Sequence, residues 1–273
     1  MGLLNLNNNN VVSPAVRTYK WAAGLLNKDD EKYKFADRLS YYQKNEDGEG
    51  GEEITAQLEE FAVLGIGFGV TGVRNVGGKY HSIYSTAEVN YNTKWNNVMS
   101  KIVKVMESSE DSKETLFYGP LSHAVGAKSQ NIEAQVPDAK MAISLYIWNY
   151  KTEQIERILA KGSVSSVVRE MLFGQNEYKG LSIDDYVWSL SGEEKRKTGS
   201  VTYFVPKFTV VKKLEEKDME EFKPQFEEVQ NYLNIREKSV ADDYEEVDVA
   251  PQEEVATEAP AEEDPIDLSD LPF

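Results

Sequence analysis

The stretch FAVLGIGFGV, residues 61–70, decides the fold. Ala62, Leu64, Ile66, Phe68 and Val70 alternate with Phe61, Val63, Gly65, Gly67 and Gly69, a period of two that belongs to a β-strand. Gly77–Gly78 follows as a turn, and residues 80–89 read as the returning strand. Further strands are expected at 116–118, 141–150 and 154–160. Another is expected at 200–211, where Pro206 predicts a bulge or an edge position. Helical spacing competes in three places. Trp95, Val98, Met99, Ile102, Val103 and Met106 predict an amphipathic helix over 95–107. A second is expected over 163–173, after Gly162. A third, over 215–233, carries Met219, Phe222, Phe226, Val229 and Leu233 on one stripe, with Pro224 as a kink.

Upstream, residues 1–13 are an Asn-rich arm, and Trp21, Leu25 and Leu26 are spaced for a short helix within 16–42. Residues 44–53 (KNEDGEGGEE) read as a loop without regular structure. The expected class is mostly β with α. Short strands, a glycine-bearing strand and a few helices fit an OB-fold-like barrel core with flanking helices and a disordered acidic C-terminal tail. The organisation read along the chain is an N-terminal arm and loop extension over 1–53, an OB-fold-like domain over 54–236, and an acidic tail over 237–273.

The formal net charge of −17 argues at first against a polyanion partner. Its distribution reverses that. Residues 239–273 hold 13 Asp and Glu with no Lys or Arg, which leaves 34 acids against 30 bases in the body. A nearly balanced body can carry a basic groove. Cysteine is absent, and His81 and His123 are the two histidines. Thiolate chemistry is therefore excluded, and a multi-histidine metal site or a His-based triad has little to draw on. The expectation is no cofactor, no metal and no enzymatic activity. No long apolar run occurs, so the expected location is the cytoplasm, without membrane attachment.

Within MAISLYIWNYK (141–151), Ile143, Leu145 and Ile147 fall on one face of a strand, and Tyr146, Trp148 and Tyr150 on the other. With the aliphatic face on a core, the aromatic row is a candidate platform for stacking bases, at about 1–3 kcal/mol per contact. Lys151, Arg157 and Lys161 follow as candidate phosphate contacts. The competing reading is that the aromatics pack beneath a second layer. Arg74, Lys79 and Tyr80 around the glycine turn, Tyr91 with Lys94 and Trp95, and the run Lys195-Arg196-Lys197 contribute only if the fold gathers them. Gly67-x-Gly69-x-x-Gly72 matches a phosphate-cradling pattern, but no helix follows it, so a bent strand or a close backbone approach is the better reading. Glu52, Glu53, Glu59 and Glu60 read as a solvated face.

The tail ends in DPIDLSDLPF (264–273). Ile266, Leu268, Leu271, Pro272 and Phe273 interleave with Asp264, Asp267 and Asp270, which suits a partner's apolar pocket rimmed by Lys or Arg. This tip resembles that of bacterial single-stranded DNA-binding proteins, especially the Gram-positive form, where Pro-Ile-Asp precedes a Ser/Asp run and a terminal Leu-Pro-Phe. Pro265, Ile266, Asp267, Ser269, Asp270, Leu271, Pro272 and Phe273 match that pattern in order. One Asp stands before Leu271 where the family often has several. The resemblance covers the tip and the tail architecture; the body is longer than bacterial members and opens on the Asn-rich arm. A diverged phage version borrowing the host's tip accounts for both. The resemblance implies binding of single-stranded DNA in replication, recombination or repair. It also implies recruitment of a helicase, primase or polymerase through Ile266, Asp267, Asp270, Leu271, Pro272 and Phe273, in the host cytoplasm. A homo-oligomer is compatible with it. The alternatives are a replication or recombination accessory protein whose body binds protein, a virion structural protein, and a nuclease using Asp and Glu with Mg²⁺ or Mn²⁺.

Overall fold

Alternating apolar residues dominate residues 61–70, and that strand is the spine of the structure. The computed structural model describes residues 12–21, 39–44, 51–56, 58–93, 98–105, 113–127 and 131–238. In chain order the strands are β1 (Thr18–Trp21), β2 (Leu39–Lys44), β3 (Gly51–Thr55), β4 (Phe61–Val76), β5 (Lys79–Ser85), β6 (Val89–Asn90), β7 (Met99–Val105) and β8 (Lys113–Pro120). After helix α1 (Leu121–Val125) come β9 (Ala139–Asn149), β10 (Gln154–Lys161), α2 (Ser163–Leu172), β11 (Tyr186–Thr198) and β12 (Val201–Lys213). Helices α3 (Glu216–Glu221) and α4 (Lys223–Lys238) close the described chain. The fold is mostly β with few helices, and among the described residues the strand path has unpaired ends at β3 and β8 and does not close into a barrel. No described helix is long and apolar enough to cross a membrane.

The described residues fall into two compact units, one from 12–69 and 141–234, the other from 70–140 and 235–238. Strand β4 runs from the first into the second, and the first unit also takes in β1, β2 and β3, so part of the segment read as an extension over 1–53 belongs to its sheet.

In the first unit the strand order is β3-β2-β1-β10-β9-β4, with β11 pairing β4 and β12. Strands β1 and β10 are parallel, while β1–β2, β2–β3, β9–β10 and β11–β12 are antiparallel. The expected aliphatic core is present: Ile143, Leu145 and Ile147 are fully buried. Trp188 is buried, donates its indole N–H to the Ile183 carbonyl at 2.8 Å, and stacks edge-on to Tyr178. Phe61 and Phe208 meet edge-to-face at 5.7 Å. Helix α2 buries Val164, Val167, Val168 and Met171 and packs against β10 and β12. Pro206 lies on β12, which pairs with β11 alone, so its missing N–H falls on the edge strand expected of it.

Helix α4 lies over Ala62, Leu64 and Tyr146 through Val229, Tyr232 and Leu233. Gly65 permits the approach: a Cβ there would stand 2.7 Å from Val229 Cγ1. Gln230 Nε2 donates to the Leu64 carbonyl at 3.0 Å.

The second unit is an antiparallel sheet of the latter half of β4 with β5, β7 and β8, and β6 pairs β4. Gly77 and Gly78 both take positive φ, +58° and +86°, the two-residue hairpin geometry that glycine adopts without strain. The Gly78 N–H is held by Asn75 Oδ1 at 3.0 Å. At Gly72 a Cβ would stand 2.2 Å from the Asp138 carbonyl oxygen, which a side chain cannot share. Gly67, Gly69 and Gly72 therefore belong to one continuous strand, with no phosphate-cradling turn.

Four sequence expectations are corrected. Within 95–107 the described residues form a strand, β7, and not a helix. The Ile102-Val103 pair and Val105 are β-branched, and ladders to β5 and β8 satisfy their backbone. Trp21, the first residue of the short helix expected with Leu25 and Leu26, ends a strand over 18–21, and 39–44 form a second strand; Leu25 and Leu26 lie outside the described residues. Residues 51–55, read as loop, pair with β2. The single kinked helix over 215–233 is two helices broken at Phe222, with Pro224 in the first turn of α4, where a missing N–H costs nothing. Trp95, the arm before Val12 and the tail from residue 239 on, with its tip, lie outside the described residues; Glu237 and Lys238, expected to open the tail, end α4.

Candidate nucleic-acid interface

Residues opposite one another in an antiparallel ladder share a face, and so do residues two apart along a strand. In the second unit Asn75 pairs with Tyr80, Thr71 with Tyr84, Tyr84 with Val103, and Val103 with Thr115. Lys101 pairs with Tyr118, and Val105 with Lys113. One face therefore carries Tyr80, Tyr84 and Tyr118 together with Lys101 and Lys113. Tyr80 is 75% exposed and Val73, on the same face, 55%. Tyr84, Lys101 and Tyr118 are half-exposed, Lys113 is exposed, and Val103 is buried at the centre. The Lys113 ammonium sits 5.8 Å from the centre of the Tyr84 ring, a cation–π contact. No Asp or Glu lies on this face among the described residues.

The other face of the same sheet is the packed one. Ile83 and Ile102 are fully buried there, and Lys104 is held by Glu114 at 2.7 Å. That ion pair holds the Glu114 carboxyl below its ordinary range, through the hydrogen bond first and the charge second. Arg74 and Lys79 belong to this second face, opposite His81 and Val76. Arg74 is committed to Asp138, Nε to Oδ2 at 2.7 Å. Of the hairpin residues picked from sequence, the fold thus places Tyr80 on the tyrosine face and separates Arg74 and Lys79 from it.

The row Tyr146, Trp148, Tyr150 is corrected as an open platform. Tyr146 is 0% exposed and packs on Tyr232, ring centres 5.6 Å apart. Trp148 and Tyr150 are partly buried against the same cluster, which contains Phe222, Val229, Tyr232 and Leu233. The second layer over this face is a helix of the same chain, so Tyr146 offers no ring face to a base. Burial, with Asp218, Glu221 and Glu60 adding negative charge, pushes the Tyr150 hydroxyl up to about 12. Lys151 pairs with Glu59. Arg157 Nε donates to Thr18 Oγ1 at 3.1 Å, and Lys161 is exposed. The basic run is also divided: Arg196 makes a two-pronged pair with Glu170, at 2.7 and 2.9 Å, and a third contact with Glu194.

The carboxylates Glu52 and Glu53 are exposed on β3, as a solvated face requires. Among the described residues no three His, Asp or Glu side chains converge into a metal-binding group. His81 faces the Val105 carbonyl, Nδ1 at 3.0 Å.

Tyr84, Tyr118, Lys101 and Lys113 were missed in the sequence. Tyr80, Ser82 and Tyr84 do alternate, and that signal was available. Lys101 and Tyr118 become neighbours only once 99–105 is a strand in this register. Compared with known proteins, the chain matches no family model, no curated protein and no solved structure.

Proposed function

We propose that this protein binds single-stranded DNA without catalysing a reaction, and that its acidic tip recruits replication, recombination or repair proteins. The observation that carries the proposal is the solvent-facing sheet surface with Tyr80, Tyr84 and Tyr118 beside Lys101 and Lys113 and, among the described residues, no carboxylate. Three rings on one face offer stacking surfaces to unpaired bases, and the lysines meet phosphates. Every base has a π-face, so such binding tolerates any sequence. A duplex presents no free base faces and is bound less well.

An OB-like arrangement fits the same reading. With β4 counted as the first strand, β5 and β7 become the second and third, and in that architecture the face of strands two and three and the loop between strands one and two hold oligonucleotides. The tip DPIDLSDLPF supports the recruiting half through its resemblance to bacterial single-stranded DNA-binding proteins. On this reading the protein is a diverged phage-type relative acting in the host cytoplasm.

The test is fluorescence anisotropy with oligo-dT and a matched duplex. Tyr84→Ala and Tyr80→Ala are each expected to weaken oligo-dT binding by about 1–3 kcal/mol, roughly 5- to 150-fold. No binding by the wild type, or equal affinity for the duplex with the tyrosine variants unchanged, overturns the proposal.

A further inference from the structure

A second cationic feature lies in the first unit, on strands that share nothing with the tyrosine face. On the parallel pair β1–β10, Thr18 is level with Arg157 and Lys20 with Leu159. Across β9–β10, Arg157 is level with Tyr146, Leu159 with Ser144 and Lys161 with Ala142. Arg157, Lys20 and Lys161 therefore lie on one face, in a zigzag between two adjacent strands. Two residues along a strand and one strand across give steps of about 8 Å, comparable with successive phosphates of an extended single strand.

The aromatic end of this face, at Tyr146, is covered by α4. At the other end Lys20 and Lys161 are exposed and Arg157 and Leu159 half-exposed. The rows crossing it are neutral or basic over Ser144, Leu159, Lys20, Ser40 and Thr55 and over Tyr146, Arg157 and Thr18; the exposed Glu53, two residues from Thr55, shares the face at its outer edge on β3, two strands from β1. The buried acid of β10, Glu156, points to the opposite face, where Tyr19 and Asn149 hold it. Partial desolvation by the neighbouring sheet surface, with Lys20 nearby, also holds the Lys161 ammonium below the ordinary lysine range. A bound anion relieves that crowding, whereas a structural ion pair would already have removed it.

We propose that Lys20, Arg157 and Lys161 form a phosphate track for a single strand of nucleic acid, separate from the base-stacking face. The Thr18 hydroxyl fixes Arg157 from Nε at 3.1 Å and so orients its guanidinium plane. The track reads charge and spacing and makes no base contact. This rests on the proposed DNA-binding function, and the two fail in distinguishable ways.

The experiment compares the full-length wild type, the double variant K20Q/K161Q and Tyr84→Ala for oligo-dT binding across a salt series. Each neutralised phosphate contact removes about 0.7 from the slope of log K against log salt for a single strand, so K20Q/K161Q should lose about 1.4. Tyr84→Ala should lower affinity at every salt concentration with its slope kept. Thermal unfolding of K20Q/K161Q should match the wild type, because both lysines are exposed. A wild type that binds oligo-dT, with an unchanged slope in K20Q/K161Q, overturns the track alone. A wild type that binds no oligo-dT overturns the function and the track together.

Discussion

Glu156 shows how much one residue can organise. Its side chain is fully buried, and its two oxygens accept from Arg17 at 3.1 Å, Tyr19 at 2.9 Å, Asn149 at 2.7 Å and Thr152 at 3.1 Å. A buried carboxylate is tolerated only when its lone pairs are filled, and here they are. Burial first, and then the Glu156 charge, push the Tyr19 hydroxyl far up, so it donates and does not ionise. Arg17 lies 5.4 Å from the Tyr41 ring, which stands edge-on to Tyr19. The network ties β1 to β10 and to the turn after β9. Arg17→Met leaves the buried carboxylate without its cation and should cost about 3–5 kcal/mol by urea unfolding. A smaller loss would mean that the hydroxyl and amide donors suffice. Nothing in the sequence singles out Glu156, since its partners lie up to 139 positions away.

At the scale of elements, α4 changes the meaning of β9. The alternation of aliphatic and aromatic residues along 141–150 was legible and correct as a strand; which layer covered the aromatic face was not. Helix α4 reaches that face from a distant part of the chain and needs Gly65 beneath Val229 to do so. Trp148→Ala should accordingly act on stability, lowering it by about 2–3 kcal/mol, with oligo-dT affinity within twofold of wild type. A large loss of affinity with unchanged unfolding would return the stacking role to β9. Strand β7 carries the reverse lesson. Met99, Ile102, Val103 and Met106 satisfy helical spacing, yet β-branched residues and two flanking strands decide for sheet. That one change of element type brings Lys101 beside Tyr118.

At the scale of the molecule, charge governs how the protein responds to pH and salt. Burial alone would raise the Glu170 carboxyl, but the hydrogen bonds from Arg196 and Asn176 bring it below its ordinary value. A carboxyl lowered in the folded state stabilises above its unfolded pKa, about 4.3, and loses that contribution as pH falls through the folded value. Arg196→Met should cost about 1.5–3 kcal/mol at neutral pH, and the gap to wild type should close on acidification below about pH 4, as followed by thermal unfolding. Deleting residues 264–273 should leave oligo-dT binding intact or tighter while abolishing partner capture; loss of DNA binding would contradict the division between body and tip. The sequence by itself determined the strand character of β4, β9 and β10, the glycine hairpin, the restriction of Pro206 to a bulge or an edge and the concentration of acid in the tail. Each of these depends on local periodicity, backbone freedom or composition. Only the tertiary structure decided which faces are covered, because α4 over β9 and the register of β5, β7 and β8 join residues far apart in the chain. The tyrosine–lysine face is a product of that register, and the zigzag of Lys20, Arg157 and Lys161 is a product of the parallel pairing of β1 with β10.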